Sequence, residues 1–329
     1  MSVRSSLAPF FTGSLAGVAM MAVAAAAFSI MHAGIRHVSA ELHPFEIAFF
    51  RVFFGFFALA PVFLRQGWAP LRTTKLKLLG IRGVINAGAM LMFFYGLSIT
   101  PLATVAALGF TAPLFATVLA MLVLGEVVRL RRWTAIIIGF AGAMVILRPG
   151  VIEVGLGPML VLGSSVVWSV ALMVIKVLTR TESSVTITAY ASIFLSPICL
   201  VVALPFWVWP SFEALLWLIA IGIVGTVAQT AMNQSFKMAD ASAVLPVDFS
   251  KLLWAAAIGY VVFGEVPDVW TWVGGAMIFA SATYIGIREA RLKKEGKLAA
   301  GPPSTAIDRE PPVPSPRAMG EDDGADREK

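Results

Sequence analysis

The chain has 329 residues, 58% of them hydrophobic and only 13% charged, with a formal net charge of +6. Soluble domains carry close to a quarter charged residues, so the composition excludes an ordinary soluble fold and makes the bilayer the expected solvent. The basic residues form short clusters between apolar runs and no continuous basic face, which argues against nucleic acid, and the single Cys199 excludes an internal disulfide framework and a thiolate metal site.

A helix needs about 20 mostly apolar residues to cross the hydrocarbon core. Ten such runs follow one another, at 11–33, 44–64, 79–98, 101–124, 133–148, 156–178, 186–208, 213–235, 241–263 and 269–287. In the first, Arg4 precedes an alanine-rich stretch from Leu7 to Met31 that resembles a cleavable signal peptide. The many spans that follow make it more simply the first helix of a bundle. His32, His37 and His43 gather at its far end with spacings of five and six, which build no compact metal site, so interfacial positions are expected. In the second run Glu46 lies near the surface and Arg51 roughly two turns deeper, among Phe49, Phe50, Phe53 and Phe54. At that depth Arg51 is expected to face the bundle interior, either clamping carbonyls or a carboxylate or touching a substrate.

The third run offers Asn86 and Tyr95, and Pro101 separates it from the fourth. Glu126 closes the fourth run at a helix C-terminus, where its charge opposes the macrodipole. A gating or inter-helix ion-pair role, for instance with Arg129, Arg131 or Arg132, fits it better than helix stabilisation. Arg148-Pro149-Gly150 ends the fifth run and Trp209-Pro210 the seventh. The eighth carries Gln229 and Asn233, four apart on one face, as candidate ligand donors, although amides also serve as inter-helix glue.

The ninth run is the richest in chemistry. Asp248 and Lys251, three apart, share a helix face, and Pro246 releases the carbonyl of Ser242. The plain alternative is a self-neutralising structural ion pair, a weak stabiliser once desolvation is counted. Glu265 closes this run as Glu126 closes the fourth, and Pro267-Asp268 opens the tenth. From about residue 298 the chain turns to Pro, Gly, Ala and mixed charge, the signature of a disordered tail.

Lys and Arg collect in cytoplasmic loops. With the N-terminus inside, one side holds Arg4, Arg65, Arg72, Lys75, Lys77, Arg82, Arg129, Arg131, Arg132, Lys176, Arg180, Lys237 and the cluster Arg288 to Lys297; the other holds only Arg36 and Arg148. That partition predicts both termini in the cytoplasm. Shifting the sequence by 139 positions matches Val105 with Val244, Phe110 with Phe249, Gly125-Glu126 with Gly264-Glu265 and Trp133 with Trp272. One copy spans five helices, an odd number, so the second enters the membrane from the opposite side. The predicted fold is an all-α membrane protein of ten helices in two inverted five-helix repeats, at 1–150 and 151–290, with a disordered cytoplasmic tail at 291–329. Ala107, Gly109 and Ala112 stand where the second copy has Pro246, Asp248 and Lys251, which puts the expected ligand site asymmetrically on the ninth helix. Inverted repeats suit carriers, whose two halves open one site to either face. No Walker A loop, nucleophile motif or paired carboxylates support ATP-driven transport or an enzyme, and no metal or other cofactor is called for.

The segments "LHPFEIAFFRVFF" (42–54), "FYGLSITPLATVAALGFTAPLFATVLAMLVLGE" (94–126) and "MADASAVLPVDFSKLLWAAAIGYVVFGE" (238–265), with the duplicated layout, resemble the EamA branch of the drug/metabolite transporter superfamily. Within it the "HxFExAFFR" pattern at His43–Arg51 looks most like the S-adenosylmethionine uptake transporters of intracellular bacteria, with "VDFSK" at 247–251 as a departure. The resemblance implies a multi-pass protein of the cell inner membrane. It also implies a central cavity lined mainly by helices three, four, eight and nine, gated by rocking of the halves. Asp248 and Lys251 would project into that cavity, and Tyr95, Trp168 and Trp254 could stack on a ring-bearing solute. The expected activity is secondary transport of a small polar or amphoteric metabolite such as S-adenosylmethionine or an amino acid. Proton coupling through Asp248 and a homodimer are compatible with it. Competing readings are efflux of toxic or hydrophobic compounds, riboflavin-type vitamin import and, from another class, a membrane-embedded enzyme. Substrate contacts are expected from Asp248, Lys251, Arg51, Gln229, Asn233, Tyr95 and Trp254, and gating or coupling from Glu126 and Glu265.

Overall fold

In the computed structural model, residues 8–67, 71–124, 130–150, 155–179, 181–239 and 241–294 are described. The described residues up to Ala290 form one compact unit. The described residues contain no strand; they form α1 (Ala8–Val38), α2 (Pro44–Phe57), α3 (Ala60–Gln66), α4 (Leu76–Ser98), α5 (Leu102–Gly109), α6 (Ala112–Leu124), α7 (Leu130–Leu147), α8 (Leu156–Leu178), α9 (Ser184–Ala203), α10 (Phe212–Met238), α11 (Ala241–Asp248), α12 (Ser250–Phe263) and α13 (Val269–Lys294). One or two residues separate α2 from α3, α5 from α6 and α11 from α12, so these helices fall into ten consecutive segments at the ten predicted positions. Eight segments are long and apolar enough to cross a bilayer, α7 adds the shorter apolar helix Trp133–Leu147, and α13 falls outside that set.

Local chemistry sets the boundaries. His43 opens α2 with a capping box: its ring accepts from the Phe45 N–H while Glu46, at the third position, accepts from the His43 N–H. Ser183 and Ser211 cap α9 and α10 through hydroxyls that accept from Thr186 and Ala214. Arg148 at φ 47° and Gly150 at φ 86° turn the chain out of α7, as the Arg-Pro-Gly signal predicts. Pro113, near the start of α6, withholds a donor from the Gly109 carbonyl four residues earlier, and a break falls between them at Phe110–Thr111.

The packing exchanges between the halves. α1 packs on α10 as α8 packs on α4; α2 packs on α10 as α9 packs on α4; α1 packs on α11 and α12 as α8 packs on α5 and α6. α5 meets α12 directly, and the repeat-matched Phe110 and Phe249 touch, with ring centroids 5.0 Å apart. Such reciprocity is what a pseudo-two-fold axis relating two copies produces. The two interruptions of the apolar spans at Phe110–Thr111 and Phe249 also obey the 139-residue offset, so the fourth and ninth spans are each broken at the same place. Where α7 crosses α13, a Cβ on Gly142 would lie 2.7 Å from the Gly274 carbonyl oxygen, and one on Gly274 would press on the Gly142 oxygen. Only glycine permits that approach.

Candidate functional site

A cavity of about 260 Å³ lies between the halves, near the small end of the range for small-molecule sites. Both broken spans border it: Gly109, Phe110 and Pro113 from the fourth, Asp248, Lys251 and Ala255 from the ninth. Half-helix ends at matching places in two repeats are where carriers expose backbone polar groups to a solute. Phe28 and Trp168, which correspond at an offset of 140 in the first spans of the two halves, line it as well. The lining extends toward one end of the bundle as far as Phe236 on α10 and Leu172 on α8.

Asp248, the last residue of α11, and Lys251, in the first turn of α12, form an ion pair across the break at Phe249, and the Lys251 ammonium lies 4.9 Å from the centre of the Phe28 ring. The pair neutralises itself, yet both side chains keep 19% of their surface accessible, so a solute in the cavity can reach either charge. Arg51 enters from α2, and its Nε has no hydrogen-bond partner. Gln229 lines the cavity from α10 and donates to the Asn233 side chain at 3.3 Å; Asn233 donates to Thr188 Oγ1 at 3.2 Å, and Thr188 donates to the Ser184 carbonyl at 2.8 Å. That relay fixes the Gln229 amide and puts Asn233, fully buried, behind the wall.

Two expected contacts stand elsewhere. Tyr95 packs with His43 and Phe45, each 5.9 Å away by ring centroid, and Trp254 is 48% exposed on the outer face of α12. Neither lines the cavity. Glu126 lies outside the described residues. Conversely, His32 is no interfacial residue: it lines the cavity one turn inside Arg36, with its ring 5.0 Å from Phe93. Its period-four spacing from Phe28 was the available signal. Arg82, grouped with the loop charges by sequence, is fully buried in α4 and donates to the Ile187 carbonyl at 3.0 Å. Glu46, in the first turn of α2, is buried and accepts from the N–H groups of His43 and Val208. His43 outside it is pushed below the ordinary histidine pKa by partial burial, which keeps Nδ1 free to accept.

Between the cavity and the end of the bundle where α1 finishes lies a cluster of polar contacts. Gly264, at φ 66°, ends α12 in the left-handed region and turns Glu265 away from its own helix. Glu265 Oε2 accepts from the Leu102 N–H at 2.9 Å, at the start of α5, and Oε1 pairs with Arg36 at 2.6 Å. The carboxylate that opposes the dipole of α12 therefore caps that of α5. Arg36 also donates to the carbonyls of Leu97 and Thr100, tying α1, α4, α5 and α12 together at one point. The second arginine at this end, Arg148, pairs with Asp268 at 2.5 Å.

Residues 15–148 and 155–287 each match the EamA-like transporter family. The chain is 29% identical to the S-adenosylmethionine uptake transporter of Rickettsia prowazekii over 80% of its own length and 89% of that protein. It is 31% identical to the riboflavin transporter of Rhizobium johnstonii over 89% of its length and 98% of that protein. It is 29% identical to the pseudopaline exporter of Pseudomonas aeruginosa over 80% and 93%. A solved crystal structure, 17% identical, superposes with a TM-score of 0.59 over 86% of this chain and 99% of its own, a likeness of fold.

Proposed function

This chain belongs to the EamA-like transporter family, and from that premise we propose that it is a secondary-active carrier of a small amphoteric metabolite. As a family member it is a multi-pass membrane protein that transports small metabolites, and no enzyme. The observation that carries the finer reading is the cavity between the two broken spans, where the accessible Asp248–Lys251 pair and Arg51 offer charges of both signs. A solute with an ammonium or sulfonium group and a carboxylate meets partners for each. S-adenosylmethionine, the substrate in the name of the Rickettsia relative, has that character, as do amino acids. The proposed location is the cell inner membrane with both termini in the cytoplasm. The two repeats act as the moving units, Glu265 and Glu126 close opposite ends, and Asp248 is the candidate site for proton exchange. A homodimer is compatible with this scheme and is not required by it.

Proteoliposomes test the reading. Vesicles holding the purified chain should accumulate labelled S-adenosylmethionine chemically unchanged, and Asp248→Ala or Lys251→Ala should reduce accumulation at least about tenfold, the effect of losing one charge-assisted contact. Full uptake by both variants would sink the site assignment. Accumulation of riboflavin in place of S-adenosylmethionine would favour the vitamin-import alternative suggested by the Rhizobium relative.

A further inference from the structure

Beneath the cavity lies a second, much smaller space of about 10 Å³, walled by Arg51, Arg82, Asn86, Thr188, Ser192 and Gln229. Arg51, Asn86 and Gln229 border both spaces, so the small one is the polar floor of the large one. Two guanidinium groups face it. Arg82 has no exposed surface, and with only Nη1 engaged, its Nε and Nη2 have no partner; Arg51 Nε has none either.

No carboxylate among the described residues balances them. Asp248 is paired with Lys251, Glu265 with Arg36 and Asp268 with Arg148, while Glu46 is taken up by the N–H groups of His43 and Val208. An uncompensated ion at membrane depth costs several kcal/mol, and two beside one polar hollow cost more. Proteins keep such an arrangement where a ligand supplies the missing charge. The volume sets the size of that ligand: about 10 Å³ holds one water-sized atom, too little for a phosphate group.

We propose that this floor is an anion subsite that receives a carboxylate oxygen of the transported solute, with Arg82 as the buried donor and Arg51 as the donor shared with the cavity. The proposal rests on the carrier reading and narrows it. Because the Asp248–Lys251 pair cancels, the site as a whole is positive, and it selects solutes with a carboxylate over neutral ones of similar shape.

The test uses the purified full-length chain in detergent and reads thermal unfolding against added sodium formate, with formamide as the neutral isostere and sodium chloride as the monatomic anion that also matches ionic strength. The wild-type melting temperature should rise with formate and stay level with formamide and chloride. Arg51→Gln and Arg82→Gln should each abolish the formate response. Without added anion Arg51→Gln should melt no lower than the wild type, since it removes an unbalanced charge; a structural arginine would give a lower value. If Arg82→Gln does not fold, Arg51→Gln alone decides. No formate response in the wild type, or an equal response in Arg51→Gln, overturns the proposal. A chloride shift as large as that of formate also overturns it, in favour of a resident halide. Because nothing is transported in this experiment, it stands or falls apart from the uptake of S-adenosylmethionine.

Discussion

The charged residues of the membrane interior divide into balanced and unbalanced sets. Asp248 and Lys251 balance each other across the break between α11 and α12, so removing either leaves the other uncompensated among apolar neighbours. Asp248→Asn and Lys251→Met should therefore each lower stability by about 2–4 kcal/mol, while the double variant stays within about 1 kcal/mol of the wild type, as replacement of whole buried pairs does elsewhere. Denaturant unfolding of the four proteins checks this, and additive losses would argue against coupling. Spacing made these two residues legible, because an acid and a base three apart in an apolar run fall on one helix face, where each lowers the cost of burying the other. Arg82 was harder to place. Its neighbours Lys75 and Lys77 mark a loop, and only the course of α4 carries it two turns inward to Ile187. Tyr95 and Trp254 looked like stacking residues because aromatic type says nothing about which side of a helix meets the cavity.

At the scale of elements, the ten helical segments were legible from hydropathy and from the prolines and glycines between them. The interruptions inside the fourth and ninth spans were not, since "LGFTAP" and "PVDFS" stay apolar enough to read as continuous helix. Pro113 and Pro246 were the visible traces of those breaks, and the structure places each within a turn of one. Helix crossing is set by small residues. At the α7–α13 contact the two glycine backbones meet with no room for a side chain, so Gly142→Leu or Gly274→Leu should cost about 1–3 kcal/mol through overpacking. Gly150→Ser, at an open turn with φ 86°, should show a smaller strain effect of about 1 kcal/mol. Thermal unfolding ranks the three.

For the whole molecule the relevant quantity is the balance between two global states. The Glu265–Arg36–Leu102 contacts join α1, α5 and α12 where α1 finishes, the proposed lock of that end, and the sequence offsets place Glu126, Lys176 and Ala241 in the corresponding positions of the other copy. Weakening one lock should shift the population toward the state in which that end is open. Glu265→Gln and Glu126→Gln should therefore move the balance in opposite directions. A cysteine in place of Gly109 at the cavity wall reports this through its rate of modification by a membrane-impermeant thiol reagent applied from one side, with Cys199 buried and unreactive. Parallel changes in both variants would contradict opposed gates.

The Phe110–Phe249 contact joins each residue to its own counterpart in the other repeat, since the 139-residue offset relates the two. If the two halves exchange conformations as proposed, that exchange maps this ring pair onto itself. The Glu265 contacts and the cavity walls would then trade places as the carrier turns over, while the two phenylalanines would have nothing to trade and would serve as a bearing between the halves.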